Sequence, residues 1–176
     1  TDIGLSIRQT EALIHQADAQ IAAEEEGIRL ALAEANTEEQ TLWRQIEASE
    51  AARKSASAEW LRAEADWKRA QRLLPQGALA QSDFDALKAA AVSAREGLSS
   101  AERALDAACV GAREEDRQKL SHTGSAEGMR LDAVVNARQA AENLRISLES
   151  LKAGREASAA ALEQLKGNQS RLTLKA

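Results

Sequence analysis

The sequence predicts an all-α protein, a long antiparallel coiled-coil hairpin, on three observations. Aromatic residues make up 2% of the 176 residues, with one Phe, three Trp and no Tyr. A globular core of this size draws on more ring surface than that, since each ring buries roughly 150–250 Å². Ala, Leu, Glu, Gln, Arg and Lys dominate instead, the composition of long helices packed through narrow seams. Apolar residues recur every seven positions in two long stretches, and the single Pro lies between them.

The first stretch opens near Ser6, which stands in capping-box spacing to Gln9. Ile7, Ile14, Ile21, Ile28, Ala35 and Leu42 follow at intervals of seven. A second series continues in shifted phase as Ile46, Arg53, Trp60, Trp67 and Leu74, with Ala56, Ala63 and Ala70 as companions. The four-residue step from Leu42 to Ile46 is a stutter, which locally relaxes a left-handed supercoil. A helix over 8–74 reaches roughly 100 Å at about 1.5 Å per residue. A lone helix of that length needs a partner along it.

The reversal falls at 75–81. Pro75 removes a backbone donor and pushes Leu74 from helical geometry, and Gly77 supplies a permissive backbone. Ser82, Asp83 and Asp85 place a cap and negative charge at the start of the next helix. That helix, over 82–120, carries Phe84, Leu87, Ala91, Ala94, Leu98, Ala101, Leu105 and Ala108 at alternating steps of three and four, the seam of a coiled coil. A break is predicted at 121–128. A third helix over 129–167 resumes the return arm with Val134, Ala137, Ala141, Leu144, Leu148, Leu151, Leu162 and Leu165, and Gly167 and Asn168 read as its stop.

The return arm exceeds the outgoing one by about 17 residues, a surplus worth roughly 25 Å of helix. A loop at 121–128 absorbs part of it, or the last helix turns back to make a three-helix bundle; the hairpin is favoured because it brings both ends side by side. Period-two alternation of Ile3, Leu5 and Ile7, and of Leu172 and Leu174, marks 1–7 and 168–176 as strand-like. The helices then read as an insertion between two strands of a missing β domain. A start at Thr1 without Met reads as an excised piece or a processed product, its address not encoded in the segment.

Little points to catalysis. His15 and His122 lie far apart, Cys109 is alone, and no Gly-rich phosphate loop follows a strand. The metal sites and cofactor pockets built on such groups are not expected. Acidic and basic residues are interspersed, with a net charge of −5, so no nucleic-acid partner is expected. Trp60, Trp67, Leu74, Phe84, Leu87, Leu98 and Leu105 are the predicted seam; Trp60 and Trp67 either fill it opposite small residues or anchor a neighbouring subunit. Trp43, at the stutter, is expected to be partly exposed. Lys68, Arg69 and Arg72 form a basic cluster before the bend, either as good helix-end chemistry or as a docking surface.

The run from Arg69 to Asp85, Arg-Ala-Gln-Arg-Leu-Leu-Pro-Gln-Gly-Ala-Leu-Ala-Gln-Ser-Asp-Phe-Asp, resembles the hairpin tip of HlyD-type periplasmic adaptors, the membrane fusion proteins. That family carries an Arg, a Leu four residues on and a Ser seven after that; Arg69 and Leu73 match, Asp85 resembles the Asp before the returning helix, and the third position is Ala80 rather than Ser. The resemblance implies a periplasmic, non-enzymatic bridge held to the inner membrane through parts outside this segment. Its tip, at Arg69, Leu73, Gly77 and Ala80, would dock on a TolC-type outer-membrane channel. A lipoyl domain and its neighbours would bind the inner-membrane transporter of an efflux or type I secretion system, and the assembly would be a homo-oligomer, usually a hexamer. A structural tether without a transport role is the other reading; a helical enzyme or sensor has the least support.

Overall fold

A computed structural model describes residues 2–173; Thr1 and residues 174–176 lie outside the described residues. The chain is all-α. Among the described residues four helices, α1 (Asp2–Leu73), α2 (Gln81–Ala108), α3 (Glu114–Thr123) and α4 (Asp132–Thr173), are joined by short turns, with a 3-10 turn at Leu74–Gln76. Among the described residues the β content is one isolated antiparallel bridge between Ala112 and Leu131. The fold divides into two compact units, Thr1–Asn36 with Val135–Ala176, and Thr37–Val134.

In the first unit α1 pairs with α4. Lys166 Nζ lies 3.1 Å from Glu11, Arg155 Nε 2.9 Å from Asp18 and Lys152 Nζ 2.9 Å from Glu25, and Arg138 donates to Asn36 Oδ1 at 3.1 Å. One partner climbs the chain as the other descends, which defines an antiparallel pair. Ile7 and Ala35 are buried on α1, and Ala141 and Leu148 on α4, with Ile14, Ile21 and Ile28 half-buried between. The heptad reading of both arms therefore holds, and the last helix continues the return arm instead of folding back into a bundle.

In the second unit α1 pairs with α2, and Ala70 and Ala91 are buried in the seam. At the stutter α1 turns Leu42, Ile46 and Glu50 inward at successive steps of four, widening its buried face. Two elements cover that face. The segment 109–131, a strap holding α3, contributes Cys109, Leu120, Ala126, Met129 and Leu131 to a small core around Ile46, closed by Val134. Trp43 Nε1 donates to the Met129 carbonyl at 3.1 Å, and the Glu47 carboxylate accepts from the Ala126 N–H at 2.8 Å and the Ser125 hydroxyl at 3.2 Å. Arg117 pairs with Asp106, and Asp116 accepts from the Arg130 N–H at 3.1 Å. Glu50, 1% exposed, is held by two 2.8 Å bonds from Arg53 and by Lys54 at 3.4 Å.

Several boundaries differ from the sequence reading. The helix expected over 82–120 ends at Ala108, because Gly111 at φ 79° turns the chain and Ala112 N–H bonds the Cys109 carbonyl. The break expected at 121–128 falls instead at 109–113 and 124–131, with α3 between; left-handed Gly124 stops α3, and its N–H reaches the Leu120 carbonyl at 2.7 Å. α4 then starts at Asp132 rather than 129. Residues 2–7 are helical, not strand-like: Ile3 and Ile7 stand one turn apart and extend the heptad row, while Leu5 is exposed. Gly167 and Asn168 do not stop α4, which runs to Thr173; helical glycine costs only about 1 kcal/mol against Ala. The strand expected at 168–176 is therefore helix as far as Thr173, and its last three positions fall outside the described residues.

Two outcomes follow from the second unit. Ile46→Ala opens a cavity in the strap core and is expected to cost about 2–5 kcal/mol in urea unfolding, whereas exposed Leu30→Ala changes stability by about 0.5 kcal/mol or less. The hydrogen bonds from Arg53 hold the Glu50 carboxyl below its ordinary value of 4.5, against the opposing effect of burial. A carboxyl with a depressed folded pKa adds stability above its unfolded pKa and loses it as pH falls through the folded value. Glu50→Gln is therefore expected to lower stability at pH 7 and to flatten its decline below pH 4.5, as read from unfolding midpoints across an acid series.

Candidate functional site

The bend is the place where the sequence motif and an exposed surface coincide. α1 ends at Leu73, and Pro75 sits in the first positions of the 3-10 turn, where its missing N–H costs nothing. Gly77 takes φ 69°, and its N–H bonds the Leu74 carbonyl at 3.0 Å while Ala78 N–H bonds the Leu73 carbonyl at 3.2 Å. These paired bonds are a Schellman closure, satisfying carbonyls the helix end would leave open.

α2 begins without the expected side-chain cap. Its cap position is Ala80, in extended geometry, and Ser82 lies inside the first turn. Asp83 supplies the negative charge there, and Asp85 accepts from Gln81 Nε2 at 3.2 Å. Phe84 N–H bonds the Ala80 carbonyl at 3.1 Å, so the methyl of Ala80 leaves the helix start without a hydroxyl.

Arg69 and Leu73 stand one turn apart on α1 and line one shallow groove of about 260 Å³ with Asp66, Ala70, Leu79 and Leu87. Arg69 reaches Asp66 at 3.3 Å, and Lys68 reaches Glu64 at 3.1 Å. These exposed pairs are worth little energy, but they moderate the positive charge that the sequence places before the bend. Gly77 and Ala80 shape the turn without lining the groove. Leu79, which the sequence reading passed over, does line it; an apolar residue just past a left-handed glycine is the signal that a helix-end contact gives.

The predicted seam residues Trp60, Trp67, Leu74, Phe84, Leu87, Leu98 and Leu105 are all half-buried. Trp67 Nε1 is buried without a hydrogen-bond partner, a cost accepted for the ring's packing. Trp43 is half-buried, as expected at the stutter, and Trp43 and Glu47 anchor the strap, a role no spacing rule exposes. His15 and His122 are exposed, and among the described residues no group of three or more metal-ligating side chains gathers. Burial raises the Cys109 thiol above its ordinary 9.0. The bend thus offers apolar contact beside a guanidinium, a surface suited to binding another helix.

Comparison with family models, curated proteins and solved structures finds no match to this chain. No helix among the described residues is long and apolar enough to cross a membrane.

The bend's geometry depends on left-handed Gly77. A side chain there finds open space but strained backbone, so Gly77→Ala is expected to cost about 1–2 kcal/mol in chemical unfolding, with the helical circular-dichroism signal of the folded state unchanged.

Proposed function

We propose that this chain is the helical hairpin of a periplasmic adaptor of the HlyD type, spacing an inner-membrane transporter from a TolC-type outer-membrane channel. The observation that carries the proposal is the pairing of Arg69 and Leu73 on one exposed groove at the bend. The groove would receive a helix end of the channel, with Leu73, Leu79 and Leu87 supplying apolar contact and Arg69 a charged hydrogen bond. The transporter would be engaged through domains outside this segment, and six copies of the adaptor would surround the path of the exported molecule.

A structural tether without a transport role is favoured by two observations. Residues 2–7 and 168–173 are helical rather than strand-like, which removes one of the supports for a β domain split around the hairpin. Ala80 also lacks the hydroxyl of the adaptor motif.

The test is made in the parent protein in its own cell. Arg69→Glu with Leu73→Asp is expected to reduce export at least tenfold, leave helicity intact and abolish cross-linking to the channel from a photoprobe at residue 77. Normal export by a helical double variant would favour the tether.

A further inference from the structure

The paired ends of α1 and α4 have two unlike sides. On α1 the inward rows are Ile14, Ile21 and Ile28 and, three residues on, Ala17, Glu24 and Ala31, all half-buried. The residues directly before them, Leu13, Gln16, Gln20, Ala23, Gly27 and Leu30, carry no charge. On α4 the same place is held by Ser147, Ser150, Gly154, Ala157, Ala161 and Gln164, also uncharged. The ion pairs Glu11–Lys166 and Glu25–Lys152 are made by residues directly after inward positions. At about 100° per residue, the rows before and after a seam lie on opposite flanks of a helix.

Both uncharged rows look to the same side. Leu13, Gln16 and Gln20 line one shallow groove of about 300 Å³ with Ser150 and Gly154. Arg155 borders it and is already paired with Asp18 at 2.9 Å. Leu13 and Leu30 are 58% and 50% exposed, and Ile146, 64% exposed, stands one turn before Ser150. In a chain that is 29% charged, an outward helix face is expected to carry charge. A face with leucines in place of those charges marks a contact with another molecule.

The α1 row is its own complement. Turned end for end about the point midway between Gln20 and Ala23, it sets Leu13 on Leu30, Gln16 on Gly27 and Gln20 on Ala23. Leucine then meets leucine, and each long amide meets a small residue. Gly154 stands at the level of that midpoint, between the pairs Asp18–Arg155 and Glu25–Lys152. A Cβ placed on Gly154 or Gly27 meets open space, so a neighbouring helix has room there. A twofold contact of this kind closes on itself as a dimer.

From Gln9 to Leu30 the face runs about 32 Å along the helix, and two helices span about 20 Å across. Two copies joined on it bury about 1,300 Å², inside the range of about 1,200–2,000 Å² for specific pairs.

We propose that this uncharged face binds the same face of a second copy, α1 against α1 in antiparallel sense, to give a four-helix dimer. The occupant follows from the chemistry. A partner with charges at the contact would bury them unpaired, whereas a second copy supplies leucines and small residues in inverted order. The contact does not rest on the adaptor reading, since it uses none of the bend residues. A ring of six parallel copies holds no such twofold axis, so the dimer is a state of the chain outside that ring.

Sedimentation equilibrium of the 176-residue chain is expected to show dimer at about 100 μM. Leu13→Glu with Leu30→Glu is expected to weaken it at least thirtyfold with helicity unchanged. Leu32→Glu, at an exposed leucine on the opposite flank, is expected to leave it intact. Orientation is read in a Cys109→Ala background. Gln9→Cys and Glu34→Cys fall opposite each other in the antiparallel dimer, so a short bismaleimide is expected to link copies only when the two variants are mixed.

A chain that stays monomeric at about 1 mM overturns the proposal, since something other than a second copy then covers the face. A dimer that the two glutamates leave untouched overturns it as well, because the contact then lies elsewhere. So does linkage of Gln9→Cys chains to one another, which would make the pairing parallel.

Discussion

The heptad seam of α1 is the constraint on which everything else rests. A helix of 72 residues buries too little surface alone to remain ordered, and it is held by partners meeting its inward rows before and after the stutter. In the first unit the seam is built from Ile and Ala, with Trp60, Trp67 and Phe84 entering it only in the second unit. Composition and architecture are thus one statement: a chain poor in rings has to spread its apolar surface along a line.

The stutter complicates that line and brings the second unit its distinctive part. Steps of four from Leu42 to Ile46 to Glu50 present a broader face than one partner helix covers. The strap fills the remainder with a compact core, and the buried carboxylate of Glu50 is matched by Arg53 and Lys54 beside it. A buried charge of this kind contributes less net stability than an apolar side chain of equal volume, but it penalises alternatives in which it lacks partners.

Fold class was legible because both arms obey a simple period. The bend was legible because Pro75 and Gly77 act through backbone geometry that a sequence states directly. The strap was not. Its helix α3 has a weak apolar pattern, with Leu120 its one fully buried side chain, and its anchors join residues 78 to 86 positions apart, beyond any local rule. The chain ends misled for a different reason: Ile3, Leu5 and Ile7 fit a two-residue period, yet two of the three also fit a four-residue step, and the helix continues through them. At the bend, Arg69 and Leu73 could be read from spacing, while Leu79 joins them only through the fold of the turn.

The placement of the indole rings has a consequence for spectroscopy. Trp43, Trp60 and Trp67 all belong to the second unit, and the first contains no tryptophan or tyrosine. Intrinsic fluorescence therefore follows the bend, the seam beside it and the strap, and is blind to melting of the paired ends. A molecule whose emission is unchanged while its far-ultraviolet ellipticity falls would be fraying from its open end.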